Sequence, residues 1–558
     1  MGVPGFLRTT SPTGDDESDL EATSRALYRG LRDGHDMAQP IKSIVIVGGG
    51  TAGWLTAAYF SRAFGDSLRI SVVESEKIGR IGVGEATVPT IRDTLAFCGL
   101  DDESTWMADC KATFKSAVRF NNWRTTEDGS QHVYYHPFFS QPERLVTPFE
   151  RPMFPRIGLG FSTVHYWLKN RLRGGNRTYG EACNPLQTLC ELNKAPRREP
   201  GSALPDPKFR YAYHFDASLI AERLAAEAKK RGVQHIPADV SHVVRNERGY
   251  ITHLQTEQGI DVKGDFFIDC SGFRGLLINQ AMGEPFISDA EYLLCDSAVA
   301  MPAPYMSGDA PIRPYTSATA LENGWVWEIP LSHREGCGYV YCSGTLDRER
   351  AEARLRKHLG EERVKDSSPN HIKMRVGRNR RSWVKNCAAV GLSSCFVEPL
   401  ESTTIFLIEY EVASLALHLP DMDFDQAQLD HYNNGLDEMY EDIRDFVVLH
   451  YCLTNRNDSE FWLNVQKAPV PDSLKARLER VRDGVLVPDG VAVRLFEGRS
   501  FASIMSGMDF PFRKAPPIVD HLGDREAAAL FEQIEVERAE LSASMPDHRA
   551  CVRAIYGQ

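Results

Sequence analysis

Ile44-Val45-Ile46-Val47-Gly48-Gly49-Gly50-Thr51-Ala52-Gly53 decides the fold of this chain. Four β-branched residues in a row read as a short buried strand. The glycines that follow leave the backbone bare, and Trp54 to Phe64 reads as a helix. This is G-x-G-x-x-G in a strand–turn–helix setting, where unpaired N–H groups at the helix start favour a pyrophosphate. A second strand, Leu68 to Val73, ends at Glu74, at about the 20-residue spacing used to hold a ribose hydroxyl. Together these predict a Rossmann-type dinucleotide-binding unit.

Outward from this motif, Ser43 to Ser61 is a long uncharged run, but Gly48-Gly49-Gly50 divides it, so it is not read as a membrane helix. The 558 residues exceed one ordinary core and imply at least two subregions. A net charge of −12 argues against general nucleic-acid binding. The twelve cysteines show no metal-ligand spacing and read as reduced, mostly buried thiols, so no metal is expected and a cytoplasmic location is. Residues 1–40 lack an apolar segment and read as a flexible extension.

Ile81-Gly82-Val83-Gly84-Glu85-Ala86-Thr87 is read as a Gly-rich turn where a crossover helix belongs, which favours FAD over NAD. Asp216 caps a predicted helix from Ala217 to Arg231. Segments at Val233–Ile236, Val240–Asn246 and Tyr250–Thr256 read as a β-meander. Phe266–Asp269 and Cys387–Val390 read as returns to the nucleotide domain, which is therefore discontinuous. The expected organisation is an FAD-binding core over 41–465. Its FAD-contacting parts are 43–90, 211–280 and 385–405. Substrate-lobe parts are 91–210 and 281–384, and a helical part, 406–558, completes the lobe. The basic run Arg375 to Lys385 reads as a solvated face. After Ile405 the pattern gives helices at Ile405–Leu419, Asp425–Asn433 and Asp437–Leu449. Irregular turns and a charged helix, Arg525–Met545, close the chain.

Gly324-Trp325-Val326-Trp327-Glu328-Ile329-Pro330 places two tryptophans on one face of an extended segment. They read either as core packing or as an aromatic wall.

In sum, the series Gly48–Gly53, Gly82–Thr87, Phe114–Trp123, Tyr213–Asp216, Asp269–Asn279, Gly324–Pro330 and Glu398–Thr403 resembles the flavin-dependent halogenases of the tryptophan-halogenase type, over about residues 43–465. The resemblance implies an α/β, FAD-dependent monooxygenase-like fold with a mainly helical substrate lobe. It also implies a reaction: reduced FAD (FADH2) and O2 oxidise chloride or bromide to hypohalous acid, which passes through a tunnel to a lysine beside an aromatic substrate. A separate NAD(P)H-dependent flavin reductase is implied as partner, with no nucleic acid and no membrane, and a homodimer stays open.

By the same resemblance Lys115 matches the lysine, with Lys111 as rival one turn earlier, and Glu401 matches the glutamate near the reacting carbon. Thr403 and Thr404 match the halide site; many members of the family have Gly where this chain has Thr404, which bears on halide preference. FAD is implied at Gly48, Gly49, Gly50, Thr51, Ala52, Gly53, Glu74, Ser75, Ile78, Ala86, Val240, Leu392 and Ile405. Trp325 and Trp327 become a wall on the flavin side. His136, Phe138, Ser402, Phe461 and Trp462 are implied at the substrate. Around Cys452-Leu453, Asn457 and Glu460 the chain departs from the family, so an indole-type or other electron-rich aromatic is expected, with tryptophan itself open. An FAD aromatic hydroxylase shares the fold but needs no lysine; a flavin-binding protein without catalysis needs neither Lys115 nor Glu401.

Overall fold

The computed structural model describes residues 39–79, 84–138, 163–197, 210–485, 495–520 and 524–557. Most of the 1–40 extension and the stretch 81–83 of the Gly-rich segment lie outside them. The strand Ser43–Val47 sits inside a six-stranded sheet. It pairs in parallel with Arg69–Glu74 on one side and Phe266–Asp269 on the other. Gln234–Pro237 and Cys387–Ala389 extend the parallel set, and Trp383–Val384 adds an antiparallel edge. Ile44 and Ile46 face the helices Thr51–Phe64 and Ala217–Lys230, and Val45 and Val47 join the cluster on the opposite face. Burial on both faces is why the strand is a continuous β-branched run.

Gly48 makes the sharp exit from this strand at φ +118°, where a Cβ would lie 2.2 Å from the Cys270 carbonyl oxygen. At Gly53 a Cβ would strike the Gly48 oxygen, so the helix can sit against the strand end only without a side chain there.

The meander is shifted from its expected place. Gln234–Pro237 joins the parallel sheet, and the meander is Val240–Arg245, Ile251–Thr256 and Asp261–Lys263. Of the expected Gly-rich turn, Gly84–Ala86 forms a strand paired with Ala212–Asp216. Thr113–Lys115 pairs with the other edge of that strand, giving a three-stranded sheet that carries both Glu85 and Lys115.

The second lobe contains a seven-stranded sheet. Its order is Asn370–Lys373, Ser297–Pro304, Arg334–Tyr341, Gly324–Pro330, Tyr315–Leu321, Ala117–Asn121 and Val133–Pro137. "Mainly helical" therefore describes the chain after Thr404 and understates the strands supplied by 281–384. One sheet face, with Trp325, Trp327 and Ile329, packs on Tyr440, Phe446 and Val447 of a long helix. The other face packs Val326 and Tyr339 on the helix Arg348–Leu359.

Two helices expected around Asn433 are one, Gln426–Cys452. Asn434-Gly435 reads as a break, but the stripe Tyr432, Leu436, Met439, Tyr440 and Ile443 is buried through it, and the Gly435 carbonyl accepts from Tyr410. The tail is also more regular than turns: Asp472–Arg482, Gly498–Gly507 and His548–Ile555 are helical, besides Asp524–Ser544. All twelve cysteines are free thiols. No helix of the described residues is long and apolar enough to cross a membrane.

Candidate active site

Lys115 ends the strand Thr113–Lys115 and is fully buried. Its Nζ donates to the Thr87 carbonyl oxygen and to Ser402 Oγ, each at 2.8 Å. The Phe138 ring lies 5.0 Å away. Burial drives the ammonium pKa down to about 7, against a partly opposing pull from Glu401. Lys115 is thus held at the boundary between ammonium and free amine. The rival Lys111 is only half-buried and sits at φ 54°.

The strand under Lys115 is pinned from the far end of the chain. The Phe114 N–H donates to His548 Nε2 at 3.1 Å, while His548 Nδ1 faces the Ile312 carbonyl at 3.0 Å. Burial lowers the His548 pKa to about 4, so Nε2 is free to accept. No local sequence pattern marks this histidine.

Glu401 closes the short turn Pro399–Glu401 and is buried. Its Oε2 lies 2.9 Å from His136 Nδ1, and its Oε1 lies 2.9 Å from His450 Nε2. Burial alone raises a carboxyl pKa, but the two imidazoles outweigh it and hold Glu401 at about 2. A permanent carboxylate therefore stands close to a lysine of adjustable charge. Ser402 follows at φ 62°, a left-handed conformation that turns its hydroxyl to Lys115.

Thr403 and Thr404 begin the helix Thr404–Leu417. Thr403 Oγ1 is buried and has no hydrogen-bond partner among the described residues, at a helix N-terminus whose first N–H groups are unpaired by geometry. The donor set suits a small anion. Ile405, one residue on, is buried in the core.

A cavity of about 130 Å³ adjoins this turn. Ser402, Thr404, Leu392, Ala86, Trp327 and Glu85 are among its walls. Trp327 and Ile329 form one side. The Trp327 ring lies on Gly338 of the neighbouring strand, where a Cβ would come within 2.1 Å of the ring. Trp325 is buried deeper and donates its indole N–H to Glu398 Oε2 at 2.9 Å; the Tyr451 hydroxyl donates to the same oxygen at 2.6 Å. Trp327 is therefore both a core residue and part of the cavity wall, whereas Trp325 is a core residue behind it.

The nucleotide end is built from Gly48 to Gly53. Gly50 caps the helix Thr51–Phe64 without a side-chain hydrogen bond, and a Cβ there would meet open space. Ala52 and Thr51 open the helix. Glu74 packs over Gly49, with its carboxylate 3.3 Å from Trp54 Nε1 and 3.0 Å from His235 Nε2. Ser75 donates to Asp239 at 2.5 Å, next to Val240, and Ile78 is exposed. This cradle of bare backbone and helix N-terminus fits a dinucleotide, with the cavity beyond it.

At the other end, His136 faces Phe446 and Phe496, whose rings stack at 3.8 Å. Neither phenylalanine stands out in the sequence. Phe461 and Trp462 are fully buried one layer further back. Trp462 packs on Trp123, Trp123 on His450, and His450 binds Glu401.

The chain is similar to known proteins over most of its length. The tryptophan halogenase family model matches residues 43–524. The chain is 38% identical over 549 residues to tryptophan 6-halogenase ThaL of Streptomyces albogriseolus, covering 93% of this chain and all of ThaL. It is 41% identical over 466 residues to tryptophan 6-halogenase SttH of Streptomyces toxytricini, covering 80% of this chain and 84% of SttH. Among solved structures it is similar to Tar14, a tryptophan C-6 flavin-dependent halogenase from taromycin biosynthesis, with TM-score 0.83 and 41% identity over 92% of this chain and 99% of Tar14. The chain belongs to the tryptophan halogenase family and is a flavin-dependent halogenase.

Proposed function

We propose that this enzyme halogenates an indole-type or tryptophan-like aromatic, using hypohalous acid delivered to Lys115. The observation that carries this reading is a fully buried lysine with a pKa near 7, tethered to the wall of a cavity that also touches the flavin-facing segments. Gly48–Gly53, Glu74, Ala86 and Leu392 would hold reduced FAD, which would supply the electrons with which O2 oxidises the halide. Thr403 and the first N–H groups of Thr404–Leu417 hold chloride or bromide. Trp327 and Ile329 keep the arene away from the flavin side.

Lys115 receives the hypohalous acid by hydrogen bonding, or as a haloamine when its amine is neutral. Thr87 and Ser402 fix the amine's direction. The arene stacks against His136, Phe138 and the Phe446–Phe496 pair. Glu401 lowers the energy of the cationic ring formed on halogen addition and takes the ring proton. His136 and His450 hold its two oxygens for that task. A separate flavin reductase supplies the reduced cofactor.

The test is a panel of indoles, tryptophan and phenols with reduced FAD, O2 and either chloride or bromide, read by mass spectrometry. The expected product is a monohalogenated arene. Oxygenated product without halogen contradicts the proposal.

A further inference from the structure

The cavity between the tryptophan wall and the Ser402–Thr404 turn has one ionisable side chain among its described lining residues, Glu85. Thr316, Ser402 and Thr404 contribute hydroxyls, and the Thr316 hydroxyl is engaged with His214 Nε2 at 2.9 Å. Most other lining residues are apolar, among them Ile329, Met374, Leu392 and Phe396. Carboxyls are rare in such surroundings because the charged form loses its hydration.

Glu85 lies on the strand Gly84–Ala86, and Lys115 lies on the opposite edge of the same small sheet. Lys115 turns to Ser402, and Ser402 and Glu85 both line the cavity. Next to Glu85 stands Asp216, whose two oxygens are both engaged. Asp216 Oδ1 accepts the Ser218 and Leu219 N–H groups at a helix N-terminus, and its Oδ2 pairs with Arg334 at 2.8 Å. No described residue donates such a bond to the Glu85 carboxyl. Two neighbouring carboxyls disfavour each other's charge, and among the described residues the donors stand only around Asp216. Burial, and then the Asp216 charge, push the Glu85 pKa up to about 7. His214, on the strand between, is kept neutral by burial, and Glu328, on the wall strand, is held by Arg313.

Halide oxidation needs a proton. The balance is FADH2 + O2 + X⁻ + H⁺ → FAD + HOX + H2O: two electrons come from the flavin, two from the halide, and O2 takes four. In a cavity with mostly apolar walls the proton must come from a fixed group. We propose that Glu85 is the acid that supplies this proton: its O–H bond breaks as the halide–oxygen bond forms, and the carboxylate is reprotonated from solvent. The inference rests on the halogenase reading above and adds the origin of the proton.

The experiment compares wild type, Glu85→Gln and Glu85→Asp, each in a Lys115→Ala background as well. A soluble 1,3-diketone traps hypohalous acid without needing Lys115. Oxidised-FAD affinity within about twofold of wild type shows that Glu85→Gln is folded and holds cofactor. Glu85→Gln is expected to consume O2 and release H2O2 while trap halogenation falls at least tenfold at pH 7; Glu85→Asp is expected to recover part of it. Independently of turnover, infrared difference spectra of the flavin-free protein, wild type minus Glu85→Gln, are expected to show a protonated-carboxyl band at pH 6 that fades by pH 8. Trap halogenation by Glu85→Gln at the wild-type rate overturns the proposal, as does absence of that band. If wild type halogenates neither trap nor arene while Glu85 shows its band, the halogenation reading fails, and the proton-donor role with it.

Discussion

Lys115 Nζ lies 2.8 Å from Ser402 Oγ, and the serine that receives it holds a left-handed backbone at φ 62°. A non-glycine residue in that region costs free energy, so the turn after Glu401 is kept by its surroundings rather than by local preference. The hydroxyl it presents fixes the direction of the buried amine.

Ser402→Ala removes that acceptor and leaves the amine only Thr87 among the described residues. One hydrogen bond of this kind is worth about 1–1.5 kcal/mol, so halogenation is expected to fall roughly tenfold. Steady-state product formation measures it. A rate equal to wild type would separate Ser402 from the positioning of Lys115.

The lowered Lys115 pKa has two consequences, one for rate and one for stability. If the amine must be neutral, halogenation rises with pH through about 7 and levels above it. For stability, the unfolded lysine keeps its proton to 10.5 and the native one only to about 7, so the native state binds fewer protons between those values. Stability therefore increases with pH across that window; the penalty is complete below about 7 and gone above 10.5. Lys115→Met is expected to be more stable at pH 7, by a few kcal/mol, with a flatter pH dependence in chemical denaturation. A lower stability for the variant at pH 7 would contradict the buried-amine account.

His450 faces Glu401 through Nε2 and the Phe446 carbonyl through Nδ1, each at 2.9 Å. His450→Phe keeps a ring but leaves Glu401 held by His136 alone. Because the histidine acts through Glu401, kcat is expected to fall roughly 10- to 100-fold with little change in KM for the arene. An effect confined to KM would place His450 in substrate binding instead.

Much of this was legible in the chain. The β-branched run and bare glycines determine the parallel sheet because Ser43–Val47 is buried on both faces. Lys115 and Glu401 stood out by their motifs. What was not legible depends on tertiary contact. The pattern ends a helix at Asn433, yet burial of the stripe around it carries the long helix through. Ser402 carries no mark of its left-handed turn, and His548 reaches Phe114 from the far end of the chain. Phe446 and Phe496 reach His136 from elements whose relative placement no local pattern specifies.

Gly338→Ala tests the wall. The added methyl must displace the Trp327 ring, at a cost of roughly 1–3 kcal/mol in stability. Halogenated product per O2 consumed is expected to drop, because the ring no longer keeps its place in the cavity wall. An unchanged ratio would show that the position of Trp327 does not govern coupling.

The role of Lys115 is tested most directly by Lys115→Ala with reduced FAD, O2, bromide and indole, following O2 uptake and brominated indole together. The flavin and halide ends do not include the lysine, so O2 uptake is predicted to continue while brominated indole falls about 100-fold or more. Bromination at the wild-type rate would contradict delivery through Lys115.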